Sequence, residues 1–413
     1  MKHIICILFV FLLAGCAPKA NQQESVSDYG KLKAHYLKDT VIVKAIEPEE
    51  GAANLQKLLA NYKTKEDFEQ RKATIRKAMF HQFGLDPMPK RESLNPIING
   101  KQACDGYTIE NIGLEILPGV WTYGNLYRPA NDEQQHPAVM LTHGHSDLVP
   151  GEYRGRFMPD QQIIAVSLAK MGAIVYAFDM FGYGESEFQL GIDVHHLALT
   201  QTMNVLGCLS VLDYLTSMPD VDKTRVAITG MSGGGTQTFL TTALDDRITV
   251  SVPVVQVSCF FPGGCACESG LSVHPCVEPH TNNAEIAAMA VPRPLLVVSD
   301  GGDWTRTVNK VEHPFIKSIY SLYGKESLTE NVHLPDEGHD YGINKRIAMY
   351  DFMSKHLGLN KQAITNAAGK YDESYVKQAA AESLMLFPDR EYPAHSLKTP
   401  GEIYDMLRKL QKE

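Results

Sequence analysis

From residue 137 to residue 357 short apolar runs alternate with helix-patterned segments, and that alternation restricts the fold more than any other feature of the chain. Residues 137–142, 173–178, 225–229, 249–255 and 294–298 are short, mostly apolar runs, and 331–334 is a shorter strand-like stretch. Such runs read as strands buried on both faces. Between them, 161–170, 196–217, 236–243 and 347–357 read as helices, with Leu206, Leu209, Leu212 and Leu215 on one face of the second. Strands that take turns with helices give an α/β fold, a mostly parallel central sheet with helices on both faces. In a sheet of this kind the site lies at the carboxyl ends of the strands. Functional residues are therefore sought in the loops that follow strands.

The flanks have other patterns. Residues 106–117 and 120–127 each alternate polar and apolar, and Pro118-Gly119 joins them as a hairpin. Residues 52–83 have apolar positions at helical spacing, and Gly84, Pro87 and Pro89 end them. At the other end, 371–386 and 400–412 read as helices, and Met385, Leu386 and Phe387 need an apolar surface from this chain or a neighbour. The first sixteen residues have a basic start, an apolar run of about ten residues and the ending Leu13-Ala14-Gly15-Cys16. That run is too short to span a bilayer and reads as a secretory signal. The ending resembles the bacterial lipobox, which implies cleavage before Cys16 and lipid on that cysteine. The expected organisation is a signal peptide over 1–15, a polar tether over 16–28 and an N-terminal helical segment over 29–103. A catalytic domain over 104–360 and a C-terminal helical extension over 361–413 follow. The expected location is the bacterial cell envelope, at the outer membrane, with the catalytic domain in the periplasm or at the cell surface.

Lys+Arg 39 against Asp+Glu 48 gives a formal charge of −9. Nucleic-acid binders concentrate positive charge, so no nucleic-acid partner is expected. The oligomeric state is not legible in the sequence.

One loop carries a specific signal. Gly230-Met231-Ser232-Gly233-Gly234 joins the run 225–229 to a helix. This G-x-S-x-G pattern, set between a strand and a helix, is a nucleophile elbow, in which small neighbours let a serine occupy a sharp turn. A phosphate loop would need Lys-Ser or Lys-Thr, which the stretch lacks. A serine hydroxyl needs a base. His339, after the run 331–334, is the candidate. The base in turn needs a carboxylate to hold its tautomer. Asp303 and Asp300 both follow 294–298, and Asp303 is preferred because it lies beyond two glycines. Gly233 N–H is one expected donor to an oxyanion.

Four cysteines crowd into one further loop as Cys-x5-Cys-x-Cys-x8-Cys: Cys259, Cys265, Cys267 and Cys276. Disulfides are the first reading, free thiols the second, and zinc with His274 and His280 the third. The spacing matches no common zinc pattern, and no metal is expected. His143 and His145, two apart, lack a nearby third ligand in the sequence. Phe260, Phe261 and Glu268 are expected to shape a substrate pocket, and Trp304 to stack on a sugar ring or to pack in the core.

Residues 104–358 resemble the α/β-hydrolase superfamily, and within it acetylxylan esterase-like and dienelactone hydrolase-like bacterial proteins. The resemblance rests on 230–239, 281–288 and 293–305, and on the chain order Ser232, Asp303, His339, which is that of α/β-hydrolases. His143-Gly144-His145-Ser146 is similar to the His-Gly oxyanion loops of lipases and esterases, which places the second oxyanion donor at His145. Asp179-x-x-Gly182-x-Gly184-x-Ser186 also matches the superfamily, as a packing turn. The resemblance implies a serine carboxylesterase without a cofactor, acting on acyl (acetyl-type) or related esters of polysaccharide or oligosaccharide. Dienelactone hydrolases use a cysteine where this chain has Ser232. A serine peptidase or amidase on the same fold, and a catalytically silent binding lipoprotein, are the alternatives.

Overall fold

A computed structural model describes residues 26–38, 45–90, 93–130, 135–146, 153–269 and 273–413. The signal peptide, Cys16 and residues 17–25 of the expected tether lie outside the described residues. The strands are β1 (Ile97–Ala103), β2 (Tyr107–Leu117), β3 (Val120–Pro129), β4 (His136–Thr142), β5 (Ile174–Phe178), β6 (Val221–Met231), β7 (Val250–Val254), β8 (Leu295–Asp300) and β9 (Thr329–Leu334). Among the described residues they form one sheet in the order β1-β2-β3-β5-β4-β6-β7-β8-β9. From β5 to β9 every neighbouring pair is parallel, and β1, β2 and β3 add an antiparallel wing.

Three helices precede the sheet: α1 (Val26–Tyr36), α2 (Pro48–Leu59) and α3 (Lys65–Gln82). The crossovers carry α4 (Pro159–Lys170), α5 (Gly184–Leu190), α6 (Leu199–Ser217), α7 (Gly233–Leu244), α8 (Ala266–Ser269), α9 (Asn283–Ala288) and α10 (Glu312–Ser321). After the sheet come α11 (Ile343–Leu357), α12 (Ala381–Leu384) and α13 (Pro400–Leu410). One face of the sheet packs Phe68, Ile75 and Met79 of α3 with Leu206, Leu212 and Phe239. The other packs Ile164 and Leu168 of α4 with Met349 and Met353 of α11. Both faces are thus covered, which is why the central strands are apolar without alternation.

Two flanking segments differ from their sequence pattern. The segment expected to be helical over 29–103 ends in β1, an edge strand with mostly exposed side chains and an irregularity between Asn99 and Gln102. Residues 371–386 contain only the single turn of α12, not a long helix. Their backbone groups are taken by side chains of the catalytic domain. Asn125 Nδ2 donates to Leu384 O at 2.8 Å, Asn111 Nδ2 to Met385 O at 2.9 Å, and Ala379 N donates to Gln162 Oε1 at 2.8 Å. Tertiary partners override helix propensity here.

The same contacts identify the surface that covers Met385, Leu386 and Phe387. Leu386 packs on Trp121 and Tyr123 of β3, with Phe387 beside them. Glu185 accepts the backbone N–H groups of Leu386 (2.9 Å) and Phe387 (2.8 Å). Arg156, fully buried, pairs with Glu185 and Asp179 and donates to Leu384 O at 3.0 Å. The stretch 179–186 is therefore a packing turn that also fastens the C-terminal segment. Gly184 is obligatory in it, since a β-carbon there would lie 2.1 Å from the Asp179 carboxylate.

Candidate active site

Because β4 to β9 run parallel, the loops after β4, β5, β6, β7, β8 and β9 all open on one edge of the sheet. His145, Ser232, Asp303 and His339 each lie in one of these loops.

Ser232 sits between β6 and α7 at φ 54°, ψ −124°. This is left-handed backbone in which a non-glycine residue is strained. Its neighbours must be small for plain steric reasons. A β-carbon on Gly230 would lie 2.1 Å from Thr142 Oγ1, and one on Gly234 would lie 2.4 Å from Thr142 O. The turn is pinned by Ser232 N donating to Val254 O at 3.0 Å and by Thr236 N donating to Ser232 O at 2.9 Å. Helix α7 begins at Gly233, so its unpaired N–H groups and dipole face the serine. Val255, next to the turn, is also left-handed at φ 47°, a costly conformation for a β-branched residue. Strain is thus concentrated around the elbow.

His339 Nδ1 donates to Asp303 Oδ2 at 2.6 Å. A carboxylate only accepts, so this bond puts the proton on Nδ1 and leaves Nε2 free to act as a base. The other oxygen, Asp303 Oδ1, accepts from Thr305 N (2.5 Å) and Thr305 Oγ1 (2.6 Å). Burial works against the Asp303 carboxylate, but the bonds from His339 and Thr305 outweigh it and hold its carboxyl below the ordinary range. Asp300 goes the other way: burial and the neighbouring Asp303 charge push it up. Asp300 builds the turn, its Oδ1 accepting from Gly302 N at 3.0 Å and Asp303 N at 3.1 Å.

Three contacts hold the His339 loop in place, against this turn and against β6. A β-carbon on Gly301 would lie 2.0 Å from Pro335 O, so the two loops touch through bare backbone. Lys345 of α11 is fully buried and donates to Gly338 O and Asp340 Oδ1, both at 2.7 Å, with Asp300 Oδ2 at 3.4 Å. Tyr341, buried, has its hydroxyl 2.7 Å from Thr229 Oγ1 on β6, the strand that carries Ser232.

The His145 ring lies over Gly233. Its Nδ1 is 3.8 Å from Glu268 Oε1, and Glu268 Oε2 accepts from Gly264 N at 2.8 Å. His143 is a structural residue. Its Nδ1 donates to Gly144 O at 2.8 Å and its Nε2 accepts from Met180 N at 2.9 Å. Complete burial pushes its pKa down to about 3, so the ring stays neutral. Trp304 stacks on Phe261 at 4.2 Å between ring centroids and lies 4.5 Å from the His339 ring. Of the residues expected to shape a pocket, Glu268 lies beside His145 and Trp304 beside His339. Phe260 is buried in the core with the Arg306 guanidinium 4.8 Å over its ring, and Phe261 is half-buried beside Trp304.

The cysteine segment holds no disulfide among the described residues, contrary to the first reading of its spacing. Cys259 is buried against Gly51 of α2, away from the other three. Cys265 and Cys267 instead face His145 and His195. Cys265 Sγ and Cys267 Sγ lie 3.2 and 2.9 Å from His145 Nε2, and His195 Nε2 lies 3.0 Å from the same nitrogen. The hydrogen bond from Cys267, opposed by burial and helped by both imidazoles, pulls the Cys265 thiol well below its usual range. His274 is elsewhere, bonded to Asn283 at 2.8 Å. His195 carried no signal in the sequence. It lies 50 residues from His145 and 70 from Cys265, and only folding brings the four together.

Residues 204–270 match the family model described as acetyl xylan esterase (AXE1). The solved structure of methylesterase BT1017 aligns at 36% identity and a TM-score of 0.80, covering 89% of this chain and 82% of its own. A Bacillus subtilis (strain 168) protein named "Putative hydrolase YtaP" is 26% identical over 273 residues, 61% of this chain and 89% of that one. A structure titled as a "putative acetyl xylan esterase" from Bacteroides fragilis shares the fold at a TM-score of 0.52 and 18% identity, over 84% of this chain and 92% of its own.

Proposed function

The chain belongs to the α/β-hydrolase esterases and is a carboxylic ester hydrolase; from that premise we propose that Ser232, His339 and Asp303 act as its catalytic triad. The observation that carries this reading is the Asp303–His339 hydrogen bond at 2.6 Å, at the same sheet edge as a serine held at φ 54°. Ser232 Oγ attacks the ester carbonyl carbon as His339 Nε2 takes its proton. The N–H groups of Gly233 and His145 hold the oxyanion. His339 then returns the proton to the leaving alcohol, the C–O bond breaks, and an acyl-Ser232 remains. Water, deprotonated by His339, attacks that acyl group and releases the acid and the free serine. Asp303 stays ionised throughout and stabilises the imidazolium.

The substrate in this reading is an ester on a carbohydrate. Phe261 and Trp304 form an aromatic wall beside His339 that suits the face of a sugar ring. A methyl ester is preferred, because the 36% identical relative that aligns with 89% of this chain is a methylesterase. An acetyl ester is the second reading, favoured by the family match over residues 204–270. The enzyme is anchored through lipid on Cys16 in the bacterial cell envelope, a reading that rests on Leu13-Ala14-Gly15-Cys16. The test is hydrolysis of p-nitrophenyl acetate by the purified chain beside Ser232→Ala and His339→Ala, then release of methanol or acetate from methylated and acetylated oligosaccharides. A fall of about 10³-fold or more in both variants supports the triad. Equal rates in wild type and variants sink it, and the released product decides between methyl and acetyl.

A further inference from the structure

We propose that His145, His195, Cys265 and Cys267 form a closed tetrahedral site for a structural zinc ion that ties three active-site loops together. The site is argued from donor geometry alone and does not rest on the esterase reading. One donor atom from each residue converges so that all four lie within 4.8 Å of one another. Cys265 Sγ and Cys267 Sγ are 2.6 Å apart, and the two Nε2 atoms 3.0 Å apart. Two bonds of about 2.3 Å to one tetrahedral zinc would set the sulfurs about 3.7 Å apart, so binding opens the thiol pair while the four donors stay converged on one point.

His195 Nδ1 is 2.6 Å from Phe181 O. A carbonyl only accepts, so Nδ1 carries the proton and Nε2 turns a lone pair into the cluster. His145 repeats the arrangement more loosely, with Nδ1 3.8 Å from Glu268 Oε1. A ring whose outer nitrogen faces a carbonyl or a carboxylate is the usual support of a metal-bound histidine. Two thiolates and two imidazoles are the donor set of structural zinc, and the two thiolates balance the charge of a dication. Binding replaces the two S–H bonds by two S–Zn bonds and releases both protons to solvent. With four protein ligands no position is left for substrate, so the ion positions loops and does not activate water.

What it positions follows from the topology. His145 comes from the loop after β4, His195 from the 3₁₀ turn Ile192–His196 after β5, and Cys265 and Cys267 from the segment after β7. That last segment is also tied to α7, since Gln237 Nε2 donates to Cys267 O at 2.7 Å. The ion therefore fixes the 143–146 loop against the elbow.

The test is elemental analysis of the purified full chain after equilibration with equimolar Zn²⁺ and gel filtration, beside Cys265→Ala and Cys267→Ala. The expected result is about one zinc per wild-type chain and less than a tenth of that in either variant. Replacing zinc by Co²⁺ in the wild type should add thiolate-to-cobalt absorption in the near ultraviolet, a readout that does not depend on the variants folding. Wild type that retains no zinc and gives no such absorption overturns the proposal. A thiol titration and intact mass that place Cys265 and Cys267 in a disulfide overturn it as well. Ester hydrolysis is scored separately: a metal-free wild type that still turns over ester refutes only the zinc site, and a zinc-loaded protein without turnover refutes only the esterase mechanism.

Discussion

The imidazole of His145 stands directly over the backbone of Gly233: a β-carbon on Gly233 would lie 2.7 Å from His145 Cε1 and 3.1 Å from its Nδ1. Gly233 carries the first proposed oxyanion donor and His145 the second, so this contact sets how closely the two residues approach. Gly233→Ala should push the His145 loop outward and lower kcat/KM by about 10²–10³-fold, the cost of losing one oxyanion donor. Alanine gains about 1 kcal/mol of helix propensity over glycine, and the clash with His145 costs about 1–3 kcal/mol, so Tm should fall only modestly. Loss of activity together with a large fall in Tm would point to misfolding instead.

Asp303→Asn should leave the fold in place and cut kcat by about 10⁴-fold, because an amide does not hold His339 in the tautomer that frees Nε2. The pH dependence of stability gives a second readout. The Asp303 carboxyl is held below its ordinary value in the folded protein. Its contribution is therefore present above the unfolded pKa of about 3.9 and is lost as pH falls through the folded value. Denaturant titrations should show the stability gap between wild type and variant shrinking below about pH 4. A gap that stays constant down to pH 2 would falsify the coupling.

His143 should make the protein acid-sensitive. Its pKa is pushed from 6.5 down to about 3 by burial. The unfolded chain thus binds one more proton than the folded chain between those values, and stability falls as pH drops through that window. His143→Asn should flatten the slope of unfolding free energy against pH by up to about 1.4 kcal/mol per unit, one proton's worth. Urea titrations between pH 4 and 7 measure the slope. An unchanged slope means that His143 already titrates normally in the folded state.

Leu386→Ala tests the C-terminal segment as part of the catalytic domain's core. Leu386 is buried against Trp121 and Tyr123, so truncation should cost about 2–5 kcal/mol of stability. Strands β5 and β4 separate β3 from β6, the strand that precedes Ser232, so kcat at a temperature well below Tm should stay within about twofold of wild type. A variant as stable as wild type would show that the segment does not belong to the cooperative unit.

The sequence by itself determined the α/β class and the parallel strands, because a strand covered on both faces must be apolar throughout, and 137–142 or 294–298 have no other use for such composition. It also determined the elbow. Ser232 needs glycine at 230 and 234, and the contacts of both with Thr142 show why no side chain fits. It placed Asp303 and His339 after strands and preferred Asp303 to Asp300, and in the fold Asp303 reaches Nδ1 while Asp300 builds the turn. The tertiary structure alone decided the rest. Residues 371–380 are not helical because Tyr371 bridges to Thr365, Asp372 N donates to Ile364 O and the Gln162 side chain takes both backbone groups of Ala379. The meeting of His145, His195, Cys265 and Cys267 had no local signature. The four residues follow three different strands, and periodicity, which is a short-range signal, carries nothing about which loops a parallel sheet will gather at one edge.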